Sequence, residues 1–466
     1  MTEAFDTATA PPAGLTPHPP ARPLWRTFIA FLAPMMLANV LQSLSGTINS
    51  VFLGHMIGVQ ALAAATQFFP IMFFMMAFVI GLGAGASVLI GQAYGKGDTE
   101  KVQTIAGASL ALAIVFGLIP AVLGGVFAEP LMIALHTPPD IIHEATAYAR
   151  IMMISMPIFF VFLLATSILR GVGDAVTPLW TLALSTGVGL LVTPVLILGE
   201  FGLPKMGVAS AAAASLISLF VAMAWLAWHL IRKRNPLAPT PALLKHVKLD
   251  PKVLGAVLRL GVPTGFQMVM VATAEIALLG MANGYGSNAT AAYGVINQII
   301  AYVQFPAMSI GISASILGAQ AIGGGRQHML WPITRMALVL NILITGTGVL
   351  VVYTLSGPIV AMFVTDPAVV QLTQHLLHIV LWSMVLFGFA VVFSSMMRSS
   401  GTVLAPTAFG VLSIVLVEIP VAWYLSRAIG IDGVWWAYPA TFIAMFMLQG
   451  GYYTFVWRKR SIRALV

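Results

Sequence analysis

Residues Gly83–Gly97 read GAGASVLIGQAYGKG, and a second version of this stretch, GISASILGAQAIGGG, occupies residues Gly311–Gly325. Eight of the fifteen positions are identical at a constant separation of 228 residues. Further identities at this separation are Arg170/Arg398, Gly173/Gly401 and Pro178/Pro406. A separation that is maintained across several segments indicates that the chain consists of two related halves, as in many membrane transporters.

The two segments lie in a chain that is too apolar for a water-soluble fold. Of its 466 residues, 59% are hydrophobic and 8% are charged, whereas a soluble domain carries about 25% charged residues. The bilayer must therefore solvate most of the surface. Cysteine is absent, which excludes a disulfide framework, a thiolate nucleophile and a cysteine-based metal site.

Apolar stretches long enough to cross a bilayer occur twelve times, six in each half. A spanning helix needs about 20 predominantly apolar residues. The predicted spans are about 26–53, 61–91, 104–127, 146–168, 176–198, 207–231, 257–282, 290–321, 332–355, 372–397, 403–425 and 433–457. Because six is even, both halves insert with the same orientation, and their pseudo-two-fold axis lies along the membrane normal. The predicted fold is an all-α membrane protein with two tandem six-helix lobes.

Composition divides the chain into five parts. Residues 1–23 are predicted to be a disordered cytoplasmic tail, because they are rich in Ala, Thr and Pro and lack an apolar run. The other parts are an N-terminal lobe (24–231), a basic, proline-rich cytoplasmic linker (232–256), a C-terminal lobe (257–457) and a basic cytoplasmic tail (458–466).

Basic residues indicate the orientation of the lobes. If the N-terminus is cytoplasmic, all of the 22 lysines and arginines fall on the cytoplasmic side except Arg150, Lys205 and Arg427. This separation follows the positive-inside rule. It predicts a multi-pass protein of the plasma membrane, the inner membrane of a bacterium, with both termini in the cytoplasm. The positive net charge then follows from topology, and we expect no nucleic-acid partner.

Several kinds of chemistry lack their usual residues. No phosphate-binding loop of the form GxxxxGK(S/T) occurs, so ATP-driven transport by this chain is not expected. The glycines at 81, 83 and 85 lie inside an apolar helix, where small residues usually permit close helix packing. His375 and His378 lack an evident third metal ligand. We therefore expect neither an enzyme nor a metal site.

Two of the 14 acidic residues, Glu275 and Glu418, lie well within predicted spans. A carboxylate in a bilayer is unfavourable unless it faces a cavity, a partner or a proton path. Glu275 shares one side of the seventh helix with Gln267, which makes it our first candidate for binding a coupling ion; a structural carboxylate between helices is the alternative. Glu418 precedes Pro420, and a hydrogen bond to backbone freed by the proline is the favoured explanation there.

Polar stripes occur near the start of each half. On the first helix the stripe consists of Asn39, Gln42 and Asn49, and on the eighth it includes Tyr293 and Asn297. Such residues often serve as hydrogen-bonding contacts between helices. Because there is one stripe near the start of each half, we expect them to line a shared substrate cavity.

Several motifs resemble those of the multidrug and toxic compound extrusion (MATE) family. They are GQAYGKGD at 91–98, LRGVGD at 169–174 followed by a proline, LGH at 53–55, and LGVP at 260–263. The residues that carry the resemblance are Gly91, Gln92, Arg170, Gly173, Asp174 and Pro178. The resemblance covers nearly the whole chain. It implies two lobes around a central cleft and export of amphipathic, often cationic, compounds in exchange for protons or sodium ions.

The sequence departs from the family pattern at acidic positions. Many members carry an acid near the end of the first helix, where this chain has Asn49. The sodium-coupled branch has an acid near the position of Val271, one turn before Glu275, and another in the tenth helix, which has no evident counterpart between Leu372 and Met397. The resemblance therefore leaves the coupling ion open between H⁺ and Na⁺.

The sequence-based hypothesis is an antiporter that exports drugs or metabolites by alternating access. We expect it to act as a monomer in the lipid bilayer, with small-molecule substrates and no cofactor besides the coupling ion. A flippase for a lipid-linked sugar is the first alternative, disfavoured because no basic residue lies deep in a predicted span. A membrane-embedded enzyme is the second, and the spans lack the clustered His, Asp or Glu that it would need.

Overall fold

The computed structural model describes residues 23–66, 68–199 and 207–466, and these contain helices but no strand. Ten helices are long and apolar enough to span a bilayer, and two bent pairs complete a set of twelve. In chain order they are α1 (Leu24–Ile57), α2 (Phe69–Lys96), α3 (Thr99–Ala134), α4 (Ile142–Ile154 with Met156–Gly171), α5 (Val176–Leu198), α6 (Ala209–Arg232), α7 (Pro251–Asn283), α8 (Ser287–Gly323), α9 (Gln327–Thr354), α10 (Pro367–Leu381 with Met384–Ser399), α11 (Leu404–Ile429) and α12 (Ile431–Lys459). The predicted fold class is confirmed; the tail at 1–22 and Lys205 lie outside the described residues.

Helix ends differ from the predicted spans where a polar cap extends a helix beyond its apolar part. Helix α3 begins at Thr99, about a turn before the predicted 104, because Asp98 Oδ1 accepts a hydrogen bond from the Lys101 backbone at 2.9 Å. Helix α7 begins at Pro251 behind the cap residue Asp250. Its first turns therefore belong to the helix and not to the predicted linker at 232–256. Hydropathy marks the part of a helix inside the membrane, whereas capping residues mark its end.

Helices α4 and α10 are bent at equivalent places, which the predicted straight spans at 146–168 and 372–397 did not anticipate. The bends are 49° in α4 and 42° in α10. In α4 the Ser155 hydroxyl donates to the Met152 carbonyl at 2.6 Å, and in α10 Ser383 donates to Val380 at 2.6 Å. A side chain that bonds to a carbonyl one turn earlier competes with the helical ladder and favours a bend. These serines are 228 residues apart, so the repeat extends to the shape of its helices.

The two lobes meet chiefly where α2 packs against α7 and α8. Glycines make the α2–α7 contact possible: a Cβ atom at Gly81 would lie 2.5 Å from the carbonyl oxygen of Gly261, and one at Gly85 would lie 2.9 Å from that of Val257. Backbone can approach backbone this closely only where side chains are absent. The glycine cluster predicted to serve helix packing thus lies at the lobe interface.

Both chain ends lie on one side of the molecule, which we call the termini side. The Arg458 guanidinium sits 4.4 Å from the centre of the Trp331 ring, and Leu24 at the start of α1 lines the same groove as Trp331. The segment after α12 packs on both lobes, with Ile462 against the C-terminal core and Val466 against the N-terminal one.

A leucine at Gly261 is expected to destabilise the protein by about 1–3 kcal/mol, the usual range for overpacking. Its Cβ atom would lie 2.8 Å from the Leu82 backbone, so the helices would have to separate. The matched control is Gly280→Leu on the same helix, where no atom lies within 4 Å of the added Cβ. Thermal unfolding of the purified proteins measures the difference. Equal melting temperatures for the two variants would contradict this account of the interface.

Candidate functional site

Glu275 is the centre of a hydrogen-bonded cluster in the C-terminal lobe. Its Oε2 atom accepts from the Tyr293 hydroxyl at 2.6 Å and from the Tyr438 hydroxyl at 2.9 Å, and the Asn297 amide nitrogen lies 3.4 Å away. Helices α7, α8 and α12 each supply part of the cluster. The predicted candidates Glu275, Tyr293 and Asn297 are therefore brought together by the fold.

Aromatic rings enclose one side of this carboxylate. Trp435, which is fully buried, stacks on Tyr438 at 5.5 Å between ring centres and lies 5.2 Å from Tyr293. The two phenol oxygens are 3.3 Å apart. These contacts hold both tyrosines in orientations that direct their hydroxyls at Glu275. Tyr438 was not among the predicted residues, because a tyrosine alone in an apolar helix gives no signal of its partner.

Glu275 has no cation as a partner among the described residues. The one ion pair in that part of the chain joins His375 to Asp432 at 2.8 Å. The second carboxylate oxygen, Oε1, accepts no hydrogen bond from a described residue. The site therefore leaves one oxygen of a half-buried carboxylate open to a proton, a metal cation or a water molecule.

Glu418 lies on a π-helical turn, Ile414–Glu418, within α11 and is 6% exposed. This turn packs against α7, so both intramembrane acids belong to the C-terminal lobe. The Glu418 side chain makes no direct hydrogen bond to another described residue, so the proposed bond to backbone freed by Pro420 is not formed here. The sequence offers no signal for the π turn itself.

Gln267 does not join the Glu275 cluster, although it lies on the same helix. Its Oε1 atom accepts from Arg398 Nη2 at 2.6 Å, and Arg398 Nη1 donates to Thr264 at 3.2 Å. The Arg398 side chain thus turns back from the end of α10 to a point several turns along α7. The sequence argument that no basic group lies deep in a span is wrong for this guanidinium, because a long side chain reaches far from its backbone position.

The polar stripe of α1 contacts α8 at two points. The Asn39 amide donates to Ser309 at 3.1 Å, and the Ser43 hydroxyl donates to Tyr302 at 3.3 Å. Gln42 is exposed and Asn49 is half-buried. None of these residues hydrogen-bonds to the Glu275 cluster, so the two predicted stripes do not form one hydrogen-bonded site in this conformation.

Gln92 and Gln320, which are related by the repeat, join the lobes on the termini side. The Gln92 amide donates to the Ser399 carbonyl at 2.8 Å, and the Gln320 amide donates to the Gly171 carbonyl at 3.0 Å. Each glutamine therefore bonds to the opposite lobe at the equivalent point. Gln92 Oε1 also accepts from the Leu465 backbone at 2.7 Å. We call these two bonds the glutamine clamp.

The other family-motif residues shape the same region. A Cβ atom at Gly91 would lie 3.0 Å from that of Ala319 in the opposite lobe, so a small residue is needed there. Gly173 has a φ of +100°, which side chains rarely adopt. Asp174 caps α5 by accepting from the Thr177 backbone at 2.9 Å. Pro178 is buried in the first turn of α5. These motif residues therefore build the lobe interface and its turns.

Comparison with known proteins agrees with the two-lobe arrangement. The MatE family profile matches residues 34–195 and 263–424, one match in each lobe. The chain is 41% identical over 445 residues to the probable multidrug resistance protein YoeA of Bacillus subtilis, covering 95% of this chain and 96% of that protein. It is 25% identical to the probable multidrug resistance protein NorM of Thermotoga maritima, covering 94% of each chain.

Solved structures share the fold at lower sequence identity. The Vibrio cholerae MATE transporter VcmN superposes with a TM-score of 0.85 at 19% identity, covering 94% of this chain and 98% of that one. A MOP superfamily transporter from Pyrococcus furiosus superposes with a TM-score of 0.84 at 21% identity, covering 94% and 97%. Because the family profile spans both lobes and a relative matches nearly the whole chain, the protein belongs to the MatE family, the multidrug and toxic compound extrusion transporters.

Proposed function

We propose that this protein exports amphipathic or cationic small molecules by antiport with a proton or a sodium ion, which binds at Glu275. The observation that carries the proposal is the Glu275 cluster, a half-buried carboxylate with two tyrosine hydroxyls on one oxygen and none on the other. The names of the relatives support multidrug export as the activity. The protein acts as a monomer in the plasma membrane.

A carboxylate in this position suits reversible binding of a cation. An ionised carboxylate inside the bilayer needs hydrogen bonds or a counter-charge, and charge-assisted bonds from Tyr293 and Tyr438 supply part of this stabilisation. A proton or sodium ion at Oε1 would complete it. Neutralising the carboxylate weakens its hold on both hydroxyls, so ion binding changes how α7, α8 and α12 are held together.

Alternating access requires that the lobes separate on one side and close on the other. In this conformation the glutamine clamp joins them on the termini side. Cation binding in the C-terminal lobe shifts the balance between the two states if it favours one packing of α7 and α8 over the other. The drug then binds in the cleft that is open at that moment, mainly through apolar contacts.

The first alternative, flipping of a lipid-linked sugar, gains support from Arg398, whose guanidinium reaches into the lobe interface. Export of small molecules remains the preferred function because the relatives with the highest identity quoted above carry multidrug names. A flippase would move a labelled lipid-linked sugar across vesicle membranes without a requirement for an ion gradient at Glu275.

Glu275→Gln is expected to abolish gradient-driven drug efflux, since glutamine keeps the shape of the side chain but does not titrate. Proteoliposomes with an imposed proton gradient or an imposed sodium gradient measure the effect and identify the ion. Tyr438→Phe, which removes one donor and keeps the carboxylate, is expected to slow transport less. Glu144→Gln, at an exposed position on α4, is the control. Unchanged ion-driven transport by Glu275→Gln would make Glu275 structural and Glu418 the next candidate.

The double variant Gln92→Ala/Gln320→Ala is expected to open the termini side. Two buried hydrogen bonds contribute about 1 kcal/mol each, so their loss shifts the closed-to-open ratio by roughly 30-fold. A cysteine at Ser395, which lines the interface, reports opening by its rate of reaction with a thiol reagent. Gln371→Ala, at an exposed position, is the control. Equal labelling rates in the clamp variant and the control would refute the role of the clamp.

Both termini and the 232–252 connection are expected to be cytoplasmic, following the distribution of basic residues. The chain has no cysteine, so single cysteines can be introduced at Pro239, Ala464 and Ser287, all exposed positions. In intact cells an impermeant thiol reagent should label Ser287→Cys, between α7 and α8, and spare the other two. Labelling of Pro239→Cys from outside would reverse the proposed orientation.

A further inference from the structure

Arg170 and Arg398 face one cavity at the lobe interface, and the proposed antiport makes no use of it. The two arginines end the equivalent helices α4 and α10 and are 228 residues apart. The cavity measures about 140 Å³. Its polar lining is also repeated between the lobes and consists of Ser87, Ser167 and Arg170 in one, and Ser315, Ser395 and Arg398 in the other.

The two guanidinium groups lack a counter-charge in the described part of the chain. A guanidinium has five N–H donors. Arg170 donates one hydrogen bond, to the Ser167 hydroxyl at 3.0 Å, and Arg398 donates to Thr264 and Gln267. The Arg398 Nε atom is buried without any partner. Two like charges that share an enclosed cavity, with most of their donors unused, are unfavourable unless an anion joins them.

The cavity has the size and donor chemistry for a small oxyanion. Its volume is below the 300–1,000 Å³ of pockets that hold drug-sized ligands, yet it equals several water molecules at about 30 Å³ each. Glycine shapes both halves: a Cβ at Gly83 would lie 2.6 Å from Ser167 Oγ, and one at Gly311 would lie 2.8 Å from Ser395 Oγ. Arginine forks match the oxygens of phosphate or carboxylate.

We infer that Arg170 and Arg398 together bind a phosphate-type oxyanion between the lobes. The anion accepts hydrogen bonds from both guanidiniums, so it bridges the N-terminal and C-terminal lobes. Because the arginines converge only while the lobes are closed here, the bound anion stabilises this conformation over the one open on the termini side. Free inorganic phosphate and the headgroup of an anionic phospholipid share the required chemistry.

The test measures the melting temperature of the full-length protein in two arms. In the first, protein in phosphatidylcholine nanodiscs receives potassium phosphate or potassium chloride at equal ionic strength. In the second, nanodiscs of pure phosphatidylcholine are compared with nanodiscs that contain phosphatidylglycerol. The variants are Arg170→Gln, Arg398→Gln and both together, and the control is Arg259→Gln, at an exposed position on α7.

We expect the anion to raise the melting temperature of the wild type and of Arg259→Gln. Each single variant should weaken apparent phosphate affinity roughly tenfold, as for the loss of one charged hydrogen-bond donor, and the double variant should show no shift. A shift with phosphate identifies a free oxyanion as ligand, and a shift with phosphatidylglycerol alone identifies a headgroup. No shift of the wild type in either arm, or an equal shift in the double variant, would overturn the inference.

A second measurement does not depend on the folding of the arginine variants. Ser395→Cys places a thiol in the cavity lining while both arginines stay in place. Phosphate or phosphatidylglycerol should slow its reaction with a thiol reagent several-fold relative to chloride or pure phosphatidylcholine. Equal reaction rates under all four conditions would show that no anion occupies the cavity and would also overturn the inference.

Discussion

The close approach of α2 to α7 and α8 is the contact on which the rest of this structure depends. It is made by backbone against backbone, because glycine occupies the positions where side chains would otherwise collide. At that distance the amide of Gln92 reaches the Ser399 carbonyl and that of Gln320 reaches Gly171. Without the glycine contact neither bond would form, and the arginines would not share a cavity.

The repeat separates what holds the lobes together from what carries the proposed chemistry. Residues 228 positions apart make equivalent contacts at the helix bends, in the glutamine clamp and around the arginine cavity. The Glu275 cluster has no such partner, since the residues of α1 nearest to the equivalent point are Gly46 and Thr47, which do not titrate. An interface between two similar bodies favours symmetry, whereas a coupling site is needed once.

The sequence predicted the large features well because they follow from composition and period. Twelve spans, the duplication and the family follow from hydropathy, spacing and motifs that persist over the whole chain. The sequence failed where a side chain acts far from its own position. Arg398 sits at a helix end yet bonds to Thr264 and Gln267, and Asn39 bonds to Ser309 in the other lobe. Such contacts depend on how the lobes pack, and no local pattern records that.

Helix α7 is the element through which the interface and the acidic cluster can influence each other. Gly261 packs against α2, Thr264 and Gln267 bond to Arg398, and Glu275 lies eight residues further on, about 12 Å along a helix that rises 1.5 Å per residue. Pro263 falls inside this stretch, where it removes a backbone hydrogen bond and makes bending easier. A change in the charge of Glu275 alters the bonds that hold one end of α7, while the lobe contact holds the other. Bending between them is therefore the most direct route by which ion binding would reach the clamp.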